Sequence, residues 1–216
     1  MNVMIIVPHP DDEILGFGGV IQRHVAAGDV VQVHYLSYSY ELRQKTQFQQ
    51  TAVAAQKFGF TAHIYQTELI DRTLLDCVVY LEKAIQEFKP DILYTVFPGD
   101  NHQDHEFLFK VIRIAARPLM KFLVKKIYLG EILSSTDQAP RLPQHAFIPN
   151  YYVGLTKEQM DKKLQGLEAY PEELREWPHP RSAKGVTVLA EKRGSECCQF
   201  YAEAFMVLRD IQGAGV

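Results

Sequence analysis

The chain has 216 residues, 47% hydrophobic and 23% charged, with a formal net charge of -3. That length suits one well-buried domain over residues 1–216 and is short for two. Its lysines and arginines are scattered, and no run approaches the roughly 18 to 20 apolar residues of a membrane span, so nucleic acid and a membrane are not expected partners.

Val3-Met4-Ile5-Ile6-Val7 is short, continuously apolar and branched, the pattern of a central parallel strand. It ends at Pro8 and Pro10 beside polar residues, which suits a strand and not a signal peptide, so a cytoplasmic location is expected. A helix over 14–27 ends at Gly28, and a strand follows over 30–35. The next helix, 44–58, ends at Gly59 before a strand at 62–65. The strongly periodic segment 74–88 predicts a helix stopped by Pro90, followed by a strand at 91–96, a helix from Asp104 toward Ala116 and a strand at 126–130. Thr156 and Gln159 form a capping box that opens a helix toward Tyr170. Residues 172–179, including Trp177, read as a loop over the site. Helices near 183–192 and 196–209 are expected to close the chain, beside the sheet or against a partner subunit in a homo-oligomer. Cys77, Cys197 and Cys198 lack any disulfide or metal spacing and read as buried thiols. Strand and helix alternation predicts an α/β fold, a single-domain Rossmann-like three-layer sandwich with a mostly parallel sheet and its active site at the C-terminal strand ends.

The first strand runs into His9-Pro10-Asp11-Asp12-Glu13, and the strand at 91–96 runs into Asp100-Asn101-His102-Gln103-Asp104-His105. Both clusters therefore face one crevice. Imidazole plus carboxylate suits zinc, with His9, Asp12 and one of His102 and His105 as three ligands and an open position for water. An acidic turn capping the first helix would account for Asp11, Asp12 and Glu13 alone, but not for three histidines at the same crevice. Gly16, Gly18 and Gly19 lack dinucleotide-binding spacing and suit close packing of helix on sheet. His34, His63 and His145 read as structural.

These motifs resemble the PIG-L/LmbE-like family of zinc-dependent N-acetylglucosaminyl deacetylases. Pro8 to Glu13 with the following glycines is similar to the first family signature, and Asp100 to His105 to its H-x-D-H signature. Phe147 to Asn150, His179-Pro180-Arg181-Ser182 and Arg193-Gly194-Ser195 leading to Tyr201–Phe205 follow in the family order. The resemblance implies that His9, Asp12 and His105 bind Zn2+ or another divalent metal and that Asp11 is the general base. It implies that His102 stabilises the oxyanion or donates a proton. Asp104 would orient one of the histidines, and Glu13 would cap or support the site.

The substrate implied is a small N-acetylated aminosugar or its conjugate. Alternatives are another small N-acyl compound, such as an acylated antibiotic, or a catalytically silent sugar- or zinc-binding protein. Where relatives often carry an Arg-x-x-Glu pair, this chain has Gln47 and Gln50, and Arg43 is the candidate substitute one turn earlier. His179 and Arg181 are candidate substrate-binding residues. Arg117 is a candidate substrate clamp or ion-pair partner.

Overall fold

The computed structural model describes residues 1–36, 41–65, 73–118 and 121–213, with the backbone alone for 41–45. The elements run β1 (Asn2–Val7), α1 (Asp12–Ala26), β2 (Val30–Tyr35), α2 (Glu41–Phe58), β3 (Thr61–Ile64), α3 (Leu74–Phe88), β4 (Ile92–Val96) and α4 (Gln103–Ala115). They continue with β5 (Lys126–Gly130), β6 (Tyr151–Leu155), α5 (Lys157–Leu167), α6 (Ala183–Glu196) and β7 (Tyr201–Asp210). The seven described strands form one sheet in the order β3-β2-β1-β4-β5-β7-β6. β1 to β5 are parallel, and β7 runs antiparallel to both β5 and β6. No described helix is long and apolar enough to cross a membrane.

β1 is central because it is apolar on both faces: Val3 through Val7 are all fully buried, as a parallel strand covered by helices on both sides requires. α1, α5 and α6 pack together on one side, and α3 and α4 pair with each other. α1 lies close on its neighbours. A Cβ at Gly19 would sit 2.3 Å from Leu155 Cδ1, and one at Gly16 2.6 Å from Ile132 Cδ1, so the glycines serve packing. The chain leaves β1 toward β2 and β3 and returns on the other side at β4. The reversal places the topological switch point between the C-terminal ends of β1 and β4, where open α/β sheets bind ligands.

Two expectations need correction. The segment expected as a helix over 196–209 is mostly strand β7, paired on both sides. Its Ala, Glu, Met and Leu content favours helix locally, but two neighbouring strands satisfy its backbone and tertiary pairing overrides propensity. Its Glu203 is buried and accepts the Gly19 and Val20 N–H groups at 2.8 Å each and Lys163 Nζ at 2.6 Å. β6, which that pairing requires, has no counterpart among the expected strands. Of the three cysteines only Cys77 is buried; Cys197 is half-buried and Cys198 exposed.

His34 and His63 are structural, stacked with ring centroids 4.6 Å apart, and His34 Nδ1 lies 3.0 Å from the Tyr80 hydroxyl. Burial, and then the neighbouring His63, push the His34 pKa down to about 3. The unfolded chain therefore binds the extra proton first as pH falls below about 6.5, and His34 costs stability progressively between there and about pH 3, at most about 1.4 kcal/mol per pH unit. Urea titrations of the metal-free protein at pH 7.5 and 5.0 should show the parent losing more stability than His34→Gln. Equal losses would contradict the assignment.

Candidate active site

The two motifs meet at the switch point because each occupies the turn after a central strand. His9 follows β1, and His102 is the N-cap of α4 after β4. Asp12 Oδ2 lies 3.2 Å from His9 Nδ1 and 3.5 Å from His105 Nε2. Two donors on one tetrahedral zinc ion, with bonds near 2.0–2.1 Å, stand roughly 3.4 Å apart, so Asp12 Oδ2 lies about that far from a nitrogen of each imidazole. The far nitrogen of each imidazole is held by another carboxylate. His9 Nε2 is 2.8 Å from Asp104 Oδ2, and His105 Nδ1 makes a short hydrogen bond with Asp100 Oδ2. Carboxylate partners of this kind fix the tautomer and orientation of metal-binding histidines.

The electrostatics reflect the same crowding. Burial opposes a charge on His9, yet Asp104 and Asp12 outweigh it and lift the imidazole to about 10. His105 is likewise raised to about 9, against burial, by Asp12 and Asp100. Burial pushes Asp12 up, but His105 and His9 hold it well below the carboxylate range. The cluster sets several carboxylates against the imidazoles of His9 and His105, surroundings that favour positive charge and suit a cation.

His102 differs. Its Nδ1 accepts the Asp104 N–H at 3.2 Å, which in the neutral ring leaves the proton on Nε2 as a donor. Burial, then charge on His9 and His105, lowers its pKa and favours that neutral form. The imidazoles of His9, His102 and His105 nevertheless each offer a nitrogen within 4.8 Å of the others, so a three-histidine arrangement is a geometric alternative to the Asp12-centred one.

Asp11 is the N-cap of α1, yet its side chain makes no capping bond. Its φ of 104° is unusual for a residue with a side chain, a conformation that costs about 1–3 kcal/mol. The carboxylate meets Arg181 instead: Arg181 Nη1 donates to Asp11 Oδ2 at 3.0 Å. No hydrogen bond to Asp11 Oδ1 is made among the described residues. Burial first, and then the adjacent Asp12, raise the Asp11 pKa well above the usual carboxylate value, against the pull of Arg181.

The PIG-L family model, GlcNAc-PI de-N-acetylase, matches residues 4–116. The chain belongs to the PIG-L family. No curated protein sequence matches it significantly. Solved structures share the fold at low identity. GalB, the 4-carboxy-2-hydroxymuconate hydratase from Pseudomonas putida KT2440, is 15% identical with a TM-score of 0.74 over 100% of this chain and 99% of that one. The zinc-inhibited form of teicoplanin deacetylase Orf2 is 15% identical, TM-score 0.71, over 99% and 100%. N,N'-diacetylchitobiose deacetylase from Pyrococcus horikoshii is 16% identical, TM-score 0.69, over 96% and 83%. A hydratase among them means that the PIG-L-like fold does not by itself fix the reaction.

The remaining candidates of this PIG-L chain divide. Glu13 is fully buried, its pKa pushed by burial up to about 7 although the Tyr170 hydroxyl pulls it down. Arg181 reaches the site, but its partners are Asp11, Glu173 and Ser134. His179 Nδ1 accepts the Arg181 N–H at 3.1 Å within its own loop. Arg117 follows the C-terminal end of α4, roughly 20 Å along that helix from His102, and pairs with Glu82 at 3.4 Å, the ion-pair alternative of the two its sequence position offered. The Arg43 side chain lies outside the described residues. Sequence reasoning missed Asp100 as the His105 partner and Tyr170 as the Glu13 partner. Asp100 had a signal, a carboxylate five residues before a histidine in the same motif; Tyr170, 157 residues from Glu13, had none.

Proposed function

We propose that this protein is a zinc-dependent hydrolase that removes acetate from the N-acetyl group of an aminosugar or its conjugate. The observation that carries this reading is Asp12 Oδ2 at 3.2 Å from His9 Nδ1 and 3.5 Å from His105 Nε2, next in sequence to the buried Asp11 carboxylate. His9, Asp12 and His105 would hold the metal, and Asp104 and Asp100 would fix the two imidazoles. When bound, zinc would polarise the amide carbonyl and lower the pKa of water to around 7.

The chain's own residues do the rest. Asp11 accepts the proton of the attacking water through Oδ1. His102 donates its Nε2 hydrogen toward the charge that develops on the carbonyl oxygen, a role that needs the proton on Nε2 and argues against using that nitrogen as a metal ligand. Asp11 or a histidine then returns a proton to the departing amine. Family membership supports the deacetylase reading over a silent binding protein, as does an open carboxylate that a closed structural zinc site would not need. Hydration of an unsaturated acid is less favoured, because Arg181, the guanidinium that reaches Asp11, is already paired with Asp11 and Glu173.

The direct test is zinc-dependent release of acetate from N-acetylated aminosugars. Within it, His102→Ala should keep its zinc and lose roughly a hundred- to a thousandfold in kcat, with little change in KM, because its partner is transition-state charge. Loss of zinc, or an effect confined to KM, would contradict that role.

A further inference from the structure

Asp11 is held at both ends by residues whose purpose helix capping does not explain. Its N–H, turned inward by the positive φ, donates to Glu13 Oε2 at 2.9 Å. The other Glu13 oxygen receives the Tyr170 hydroxyl at 2.6 Å. Tyr170 is itself buried and follows α5, immediately before the loop that returns over the site. From the far end of that loop Arg181 grips Asp11 Oδ2, and it is fixed in turn by Glu173 Oε2 at 3.0 Å and Ser134 Oγ at 2.6 Å. Tyr170 and Arg181 both lie beyond the residues 4–116 that the family model matches, and the segment 170–182 directs a brace at one aspartate.

We propose that Glu13, Tyr170 and Arg181 are positioning residues for Asp11: Glu13, set by Tyr170, fixes its backbone through the N–H, and Arg181 takes one carboxylate oxygen so that the other is presented to water. The inference rests on the reading of Asp11 as general base. A buried carboxylate with a strong hydroxyl donor on one oxygen has little freedom to rotate, so it can hold a peptide N–H in a conformation the residue would otherwise leave. The guanidinium does the same for the side chain, since Nη1 also donates to Glu173 and Nε donates to Ser134, which fix its own position. Fixing a reacting group in this way matters because a misplacement near 1 Å can cost about a hundredfold in rate.

The test uses the full chain and two independent readouts. The first is amide hydrogen exchange at Asp11, which needs no substrate. Exchange should be at least tenfold faster in Glu13→Ala than in the parent, and close to the parent in Glu13→Gln, which keeps an oxygen for the Asp11 N–H. Tyr170→Phe should fall between them and stands in should Glu13→Ala not fold. The second readout is acetate release from N-acetylglucosamine by the zinc-loaded protein. Glu13→Ala should lose ten- to a hundredfold in kcat with KM within twofold and zinc stoichiometry unchanged, and Glu13→Gln should recover most of it. Crystals of Arg181→Met should show the Asp11 carboxylate in more than one rotamer. Unchanged exchange in both Glu13→Ala and Tyr170→Phe, Gln no better than Ala, or one unaltered Asp11 rotamer without Arg181 would overturn the proposal. A parent protein that releases acetate from no N-acetylated aminosugar, free or conjugated, would instead defeat the deacetylase reading, while exchange and the rotamer would still decide this one.

Discussion

Asp11→Asn is expected to keep its zinc and lose nearly all turnover. The substitution preserves size and the Asp11 backbone hydrogen bond, and it leaves the His9, Asp12 and His105 donor atoms in place. What it removes is the ability of Oδ1 to take a proton from water. General-base catalysis contributes on the order of a hundred- to ten-thousandfold, and the fall should appear in kcat. Asn also removes the charge that Arg181 neutralises, so a modest stability change is expected alongside. Full zinc loss in Asp11→Asn would mean that the two adjacent aspartates have exchanged roles.

The site was largely legible in the sequence because its key residues cluster beside strand ends. A buried apolar strand must be followed by a turn at the sheet edge, so His9 and His102 were located once β1 and β4 were recognised. What escaped were contacts that only the tertiary fold creates. Tyr170 reaches Glu13 across most of the chain, and Arg181 reads as a substrate contact until the return of its loop onto Asp11 is seen. The same limit explains β7. Its local composition favours helix, and only the presence of β5 and β6 on either side makes it a strand.

Replacing His9, Asp12 or His105 with Ala is expected to abolish stoichiometric zinc binding. Each removes one donor, and Asp12→Ala also strips the shared carboxylate from both imidazoles. Asp104→Ala and Asp100→Ala leave the donors and release only the ring orientation, so they should weaken zinc binding by about ten- to a hundredfold. His102→Ala separates the two geometric alternatives: the Asp12-centred site keeps its zinc, whereas a three-histidine site does not. Metal analysis after gel filtration, for all six variants, reads the pattern directly. Zinc retained in Asp12→Ala and lost in His102→Ala would reverse the ligand assignment.

The most direct measurement is acetate release by the zinc-loaded protein from N-acetylated aminosugars presented free, nucleotide-linked, thiol-linked and lipid-linked. Acetate and free amine should appear in equal amounts from at least one of them, stop on chelation and resume when zinc is restored. A fully zinc-loaded protein that releases acetate from none, or that releases it equally well after chelation, would contradict a metal-dependent aminosugar deacetylase.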